Sequence, residues 1–556
     1  MAPLTDEEWA DVVSHELPKT SDPVIQKFLQ SRNALIAEEQ KHRSDYSFRQ
    51  ALSPISKKAC DIVSRICREE RGTNNATVPR ATTKSWQIIR RMPKGALLRA
   101  HCHALVDIDH LIDATMGTAG MHISCTDGHL ATEATRKEGC IRIQFRGKAD
   151  SETCSLWTND YKPGSFIPLT KAAGSFPEGG KEGFVEFLKG RCRISRQGRG
   201  SGDILAAFSR SSELIGGMLY YEPIWRAFLQ RLASNLVQDG IHWAELRLTF
   251  PLAYYREGSE RPDRDYDHMF HVIGEEVAKF RATDLGKSFQ GLRIIWSARR
   301  GQDPRSIIED ADNCIATKLL RPDLVAGYDL ADSVNYESSP VDLLPALFWF
   351  RKQCALERVQ IPFFFRAGGY LDDDGDNGNG SDSDSSLFDA LLLGARRIGN
   401  APSLYRHPRL IEAVKDKRIL VETCPTLDEI LDPTPGSIKF HPLPALLAQG
   451  VPCALCYDHS EILSEHGGGP RMTNVFWHVL HARDGLGLAG LGSLAENSVR
   501  WATFEDQDAE AWVRDIRAAS VGAGIKAARL QKWAVEWERF CLWIVTEYGD
   551  AYGAEQ

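Results

Sequence analysis

Short apolar runs recur through the second half of the chain, with amphipathic stretches between them. They fall at residues 243–249, 292–296, 324–330, 361–365, 397–399, 419–422 and 451–456, and an earlier one lies near Leu97. Runs of this length read as buried strands, and the periodic spacers read as helices. Strand alternating with helix implies parallel βαβ units. Eight such runs predict an α/β fold of the (β/α)8 barrel type. The alternative, a doubly wound open sheet, would want a glycine-rich phosphate turn after an early strand, and the sequence has none.

Outside those runs the pattern changes. Residues 24–70 place apolar side chains at helical spacing between charges, interrupted near Pro54, and predict two or three helices. Residues 97–105 read as a strand running into a loop. The stretch 120–175 contains alternating pieces such as Ile141-Arg-Ile-Gln-Phe145 and predicts a small β-rich insertion. The tail from Trp512 to Tyr548 is helical, and its tryptophans at 512, 533, 537 and 543 read as core or dimer packing. The domains expected are a helical extension over 1–90, a barrel over 91–548 interrupted by an insertion at 118–175, and a tail at 549–556.

Composition adds limits. With 556 residues, 43% hydrophobic and 26% charged, the chain suits one large barrel with insertions. A net charge of −8 argues against a nucleic-acid surface. The acidic start MAPLTDEEWADVV is unlike a secretory signal, and no apolar run reaches membrane-spanning length. The 13 cysteines are scattered without a CxxC pair, so mostly reduced thiols and a cytoplasmic location are expected. Residues 372–386 (DDDGDNGNGSDSDSS) space three aspartates as a calcium loop does, but Asn377 and Ser383 stand where such a loop needs glycine and an acid. A mobile solvated loop is the expectation. The run 191–202 (RCRISRQGRGSG) is basic and glycine-rich.

In a parallel barrel, chemistry gathers at the C-terminal ends of the strands. Those ends carry Arg99-Ala-His101-Cys-His103, Asp329-Leu-Ala-Asp332, Arg366-Ala-Gly-Gly369, Arg397-Ile-Gly-Asn400 and Tyr457-Asp458-His459. Strand alternation puts Arg99, His101 and His103 on one face, and turns Cys102 and Cys456 away as buried thiols. No GxSxG, P-loop or HExxH motif occurs.

The segments MPKGALLRAHCHALVD, IHWAELRLTF, LVAGYDLADS, IPFFFRAGGYLD, LFDALLLGARRIGN, ILVETCP and HPLPALLAQGVP…YDHS resemble, in order, the adenosine deaminase growth-factor branch of the adenosine deaminase family, within the metal-dependent hydrolases. The resemblance covers most of the chain, and fungal-type members are the most similar along the first segment. Cys125 and Cys154 match the cysteine pair of that family's inserted domain. The family implies a zinc held by three histidines and an aspartate, with a glutamate and a further histidine completing the deaminase site. Carried over residue by residue, the first zinc histidine falls on Arg99, with His101 retained beside it. The nearby substrate-binding aspartate falls on His103. The His-Ala-Gly-Glu motif reads Arg366-Ala367-Gly368-Gly369. The Ile-Gly-His-Gly motif reads Ile398-Gly399-Asn400-Ala401. The aspartate pair reads Asp458-His459, and a purine-side glycine falls on Asp332.

Three functions are compatible with these replacements. The first is a metal-independent, cofactor-free enzyme performing proton transfer on a small anionic substrate: His101, His103, His459 and Asp458 would be catalytic, and Arg99, Arg366, Asp332 and Asn400 would bind substrate. The second is an inactive binding or dimer scaffold in which Arg99 and Arg366 pair with Asp332 and Asp458. The third is a rebuilt metal-dependent deaminase or hydrolase using His101, His103, Asp458 and His459. A homodimer without nucleic-acid or membrane partners is expected in each case.

Overall fold

In the computed structural model the described residues are 5–72, 80–147, 155–193, 201–331, 340–368, 382–425, 441–457, 471–482 and 485–553. Eight strands run parallel: β1 (Gly95–Leu97), β5 (Ile241–Phe250), β6 (Gly291–Arg299), β7 (Val325–Ala331), β8 (Arg366–Ala367), β9 (Arg397–Asn400), β10 (Leu420–Thr423) and β11 (Cys453–Leu455). They form two four-stranded sheets, β1-β5-β6-β7 and β8-β9-β10-β11. Backbone bonds close both seams. Tyr328 N donates to Pro362 O at 2.9 Å and Phe364 N to Tyr328 O at 3.0 Å, while Tyr457 N donates to Arg99 O at 3.2 Å. The result is the expected barrel, with helices between successive strands.

Strand alternation divides the walls. On β5, Leu246 and Leu248 belong to the main apolar core, whereas Glu245 and Arg247 carry a buried charge network described below. Ile295, Ala326 and Phe364 form a small apolar cluster separate from that core. Gly95 enters β1 with φ +80°, and any Cβ there would collide with Ser498 and the Ala495 carbonyl. Only glycine fits both demands.

The N-terminal helices are α1 (Asp6–Asp11), α2 (Pro23–Lys41), α3 (Tyr46–Ala51), α4 (Pro54–Gly72) and α5 (Lys84–Arg91). Pro54 opens α4, where its missing N–H costs nothing. Residues 118–175 hold an antiparallel sheet in the order β3-β2-β4, with β2 at Met121–Cys125, β3 at Ile141–Phe145 and β4 at Ile167–Pro168. Cys125 lies in β2, and Cys154 lies outside the described residues. Trp512, Trp533 and Trp537 are buried, and the Trp533 indole donates to Pro93 O at 3.1 Å just ahead of β1. No helix among the described residues is long and apolar enough to cross a membrane.

Three sequence expectations change. The strand expected to run from residue 97 into a loop by 105 already ends at Leu97, and Cys102–Leu105 wind into a 3-10 turn closed by Ala104 N on His101 O at 3.0 Å. Alternation therefore does not set the direction of His103. The run 361–365 touches β7 through an isolated bridge at Phe363, and its regular pairing begins only at Arg366. Pro362 explains this, since it has no N–H to give to a ladder. The acidic segment is not loop throughout. A helix, Asp382–Leu392, begins inside it, buries Leu387 and Ala390, and has Ser386 accepting from Gly368 N at 2.9 Å. Residues 369–381 lie outside the described residues.

Asp310 gives the scaffold a pH signature. It is buried on the helix Pro304–Leu320 and accepts from the Trp296 indole at 3.0 Å and the Tyr328 hydroxyl at 3.4 Å. Burial pushes its carboxyl up to about 6, and the two donors offset this only partly. A raised acid stabilises the fold at low pH, and that contribution is lost as pH rises through about 6. Asp310→Asn keeps an acceptor for both donors and removes the buried charge. It is expected to stabilise the protein by about 3 kcal/mol at pH 7.5, the rise from 3.8 to about 6 taken at roughly 1.4 kcal/mol per pKa unit. The gain should shrink toward pH 5. Thermal melts across that range check it, and a pH-independent difference would disprove it.

Candidate functional site

The C-terminal ends of the strands bring together much of what the sequence singled out, above a charged layer it did not. Arg99 follows β1 and is only 2% exposed. Its Nη1 lies 3.8 Å from Glu422 Oε2 and 4.0 Å from Asp329 Oδ2. Arg247 on β5 reaches the same two acids, with Nε 2.7 Å from Asp329 and Nη2 2.9 Å from Glu422. Arg397 on β9 completes the layer, 2.7 Å from Glu422 and 2.6 Å from Glu245. Three guanidiniums thus share three carboxylates, all buried. At low local dielectric such an assembly persists only when every charge is compensated.

Electrostatics follow the partners. Burial pushes the Asp329 carboxyl up, and the pull of Arg247 and Arg99 only partly opposes it. Burial would raise Glu245 as well, but Arg397 and the Thr503 amide hold it below the usual range. Burial works against the charge of Arg397, yet Glu245 and Glu422 more than restore it. The Arg397 guanidinium also lies over the Phe364 ring at 4.0 Å, which packs it against the inner apolar cluster.

His101 is buried and bridges to Arg247 across β5, whose amide donates to Ala100 O at 2.8 Å. The His103 ring sits 5.5 Å from the His101 ring, so the 3-10 turn keeps the two imidazoles adjacent. Arg366 is half-buried and pairs in register with Gly399, and its carbonyl accepts from Arg300 at 3.1 Å. A side chain at Gly399 would collide with the Arg99 guanidinium, so this glycine is what lets Arg99 lie against β9. Asp332, Asp458 and His459, together with Gly369, lie outside the described residues. Cys102 and Cys456 are buried, and burial drives both thiols strongly upward, as suits packing residues.

Asn400 is the most unusual residue of the group. It is 2% exposed with φ +66°, and Ala401 follows at φ +45°. Both its amide oxygen and its amide nitrogen lack a partner among the described residues. A left-handed non-glycine residue costs roughly 1–2 kcal/mol, and an unmet buried polar group about 1–3 kcal/mol.

Sequence reading missed Glu245, Arg247 and Glu422 as members of the site. A signal was present: charges at every second position inside apolar runs, as in Trp-Ala-Glu-Leu-Arg-Leu. Inside a strand buried on both faces, such charges must meet one another. Arg99 also has acids that the scaffold expectation did not name. Among the described residues its acids are Asp329 and Glu422, and Asp332 and Asp458, the partners of that expectation, lie outside the described residues.

No family model matches the chain. It is similar to curated proteins named adenosine deaminase. One from Lutzomyia longipalpis is 24% identical over 83% of this chain and 80% of its own length. Human adenosine deaminase 2 is 24% identical over 83% of this chain and 81% of its own. Among solved structures, a zinc-bound amidohydrolase from Burkholderia ambifaria superposes with a TM-score of 0.52 at 15% identity, covering 85% of this chain and 97% of that one. The barrel therefore shares its fold with that amidohydrolase.

Proposed function

Taking the likeness to adenosine deaminase 2 as the premise, we propose that this barrel works without zinc, as an enzyme of proton-transfer chemistry on a small anionic molecule. The observation carrying the reading is Arg99. It falls where the resemblance puts the first zinc histidine, and its guanidinium is 3.8 Å from Glu422 and 4.0 Å from Asp329. The donor set does not fit the family's metal. A guanidinium stays protonated at any working pH, and two of them, Arg99 and Arg366, stand where ligands would be required. Coulomb repulsion between like charges disfavours a divalent cation there.

The residues at the strand ends have other uses. Arg99 and Arg366 can grip a carboxylate or phosphate through forked hydrogen bonds. His101 and His103, adjacent and able to change charge near neutral pH, can pass a proton to and from a bound molecule. Asp458, His459 and Asp332 are assigned to the same site from the sequence alone. Isomerisation, cyclisation, elimination and decarboxylation need only positioning, charge stabilisation and proton movement.

Two further readings have support. Arg99 already has internal acids, which favours an inactive scaffold. The names of the relatives favour a metal-dependent deaminase or hydrolase, rebuilt around His101, His103, Asp458 and His459. Elemental analysis with an adenosine assay tests the proposal. Zinc well below one per chain and no adenosine turnover, with or without added zinc, is expected. Stoichiometric zinc or adenosine turnover would overturn it.

We also take the protein to be a cytoplasmic homodimer. The 13 cysteines are scattered along the sequence, a pattern that suits a reducing compartment. Helices α1 and α2 bury no residue, and Phe28 and Leu35 are 66% and 73% exposed. Apolar area of this kind marks an interaction surface. Sedimentation equilibrium should return twice the chain mass, with Phe28→Glu shifting the protein toward single chains. A wild-type monomer at micromolar concentration would refute the dimer.

A further inference from the structure

We infer that Asn400 reads a cis-amide edge on the ligand, so that the molecule recognised carries a carboxamide, lactam or ureido group as well as an anion. The inference rests on the proposed function for the anion and on Asn400 itself for the amide.

Asn400 closes β9 at the C-terminal end of the barrel, where barrel chemistry gathers. Its neighbours fix its place. Ala367 of β8 pairs with it, Arg366 pairs with the preceding Gly399, and the Arg99 guanidinium lies against that glycine. Arg366 and the Arg99 guanidinium therefore both border Gly399, the residue before Asn400. The backbone is held in the left-handed region at two successive non-glycine residues. Ala401 N is bound to Ala367 O at 3.1 Å and to Gly399 O at 3.0 Å, so the turn is locked by the main chain and needs no help from the side chain.

The side chain is where the structure leaves something undone. A carboxamide presents one acceptor and two donor hydrogens on adjacent atoms. In Asn400 both ends are buried and unmet among the described residues, and the Ser403 hydroxyl three residues on is in the same condition. Buried polar groups in folded proteins are nearly always paired, and those that are not call for a specific cause. Strain joined to unmet hydrogen-bonding capacity at a strand end is what a preorganised recognition group looks like before its ligand arrives. A bidentate complement must offer a donor beside an acceptor. A cis-amide or ureido edge does so. A carboxylate, which only accepts, would leave the amide oxygen of Asn400 unmet.

Full-length protein can be titrated calorimetrically with succinamate, succinate and butyramide. These probes carry an acid with an amide, two acids, and an amide alone. Wild type should bind succinamate ~10-fold or more tightly than succinate, the scale of one bidentate pair. Asn400→Leu should erase that preference while still binding succinate. Asn400→Gly, which relieves the left-handed strain and loses no existing hydrogen bond, should melt about 1–2 °C higher without ligand.

A lower melting point for Asn400→Gly would mean that the side chain is structural and would overturn the inference. Equal binding of succinamate and succinate would also overturn it, leaving the anion site standing. Succinamate and butyramide binding equally would remove the anion site and leave the amide reading. Binding of neither succinamate nor succinate would overturn both.

Discussion

Glu422→Gln is expected to destabilise the protein by about 3–5 kcal/mol, the usual result of removing one partner from a buried charge pair. Glu422 accepts from Arg247 at 2.9 Å and from Arg397 at 2.7 Å, and faces Arg99 at 3.8 Å. All three guanidiniums are buried, so none can turn to water. The substitution leaves three positive charges facing two carboxylates, and it puts an amide donor where Arg247 or Arg397 needs an acceptor. Glu510→Gln, at an exposed helix start, should change stability by less than about 0.5 kcal/mol and serves as the control. Combining Glu422→Leu with Arg247→Met should recover part of the loss, because one charge of each sign is removed together while Asp329 keeps Arg99 and Glu245 keeps Arg397. Guanidinium unfolding of the four proteins provides the comparison. A cost below about 1 kcal/mol for Glu422→Gln would mean that the network is hydrated and carries little of the barrel's stability.

Arg99→His combined with Arg366→His should convert a protein with well under one zinc per chain into one holding about one. The change removes two cations from the strand ends and, by the family resemblance, completes a set of three histidines with His101 and with Asp458 from the sequence. Two neutral imidazoles in place of two guanidiniums reverse the local electrostatics toward a divalent ion. The loss of Arg99 leaves Asp329 and Glu422 short of a positive charge. Bound zinc should therefore raise the variant's melting temperature, and a chelator should lower it, while wild type responds to neither. Adenosine turnover should stay absent in the variant, since Gly369 and Asn400 still stand where the family has its glutamate and second histidine. Zinc uptake by wild type would refute the metal-free reading. Failure of the variant to take up zinc would show that Arg99 and Arg366 do not occupy ligand positions.

The sequence by itself determined the architecture. Alternating apolar runs and amphipathic spacers allow few packings, and a closed parallel barrel buries every one of those runs. It also determined which polar residues stand at the strand ends, because barrel geometry sends each strand's last residues to one face. Arg99, His101, Arg366 and Asn400 were legible in this way. The partners of those residues were decided only by the tertiary structure. Glu245, Arg247 and Glu422 come from β5 and β10, which are 170 residues or more apart along the chain in the case of Arg247 and Glu422, and an apolar run does not announce which strand its buried charge will face. Register decided that Asp329 meets Arg247, since β6 and β7 align Ser297 with Asp329. Local chain winding decided the setting of His103, because it sits in a 3-10 turn where strand alternation does not apply. The unmet amide of Asn400 is likewise a property of the folded surroundings: it depends on which neighbours fail to reach it, and no run of residues along the chain can express that.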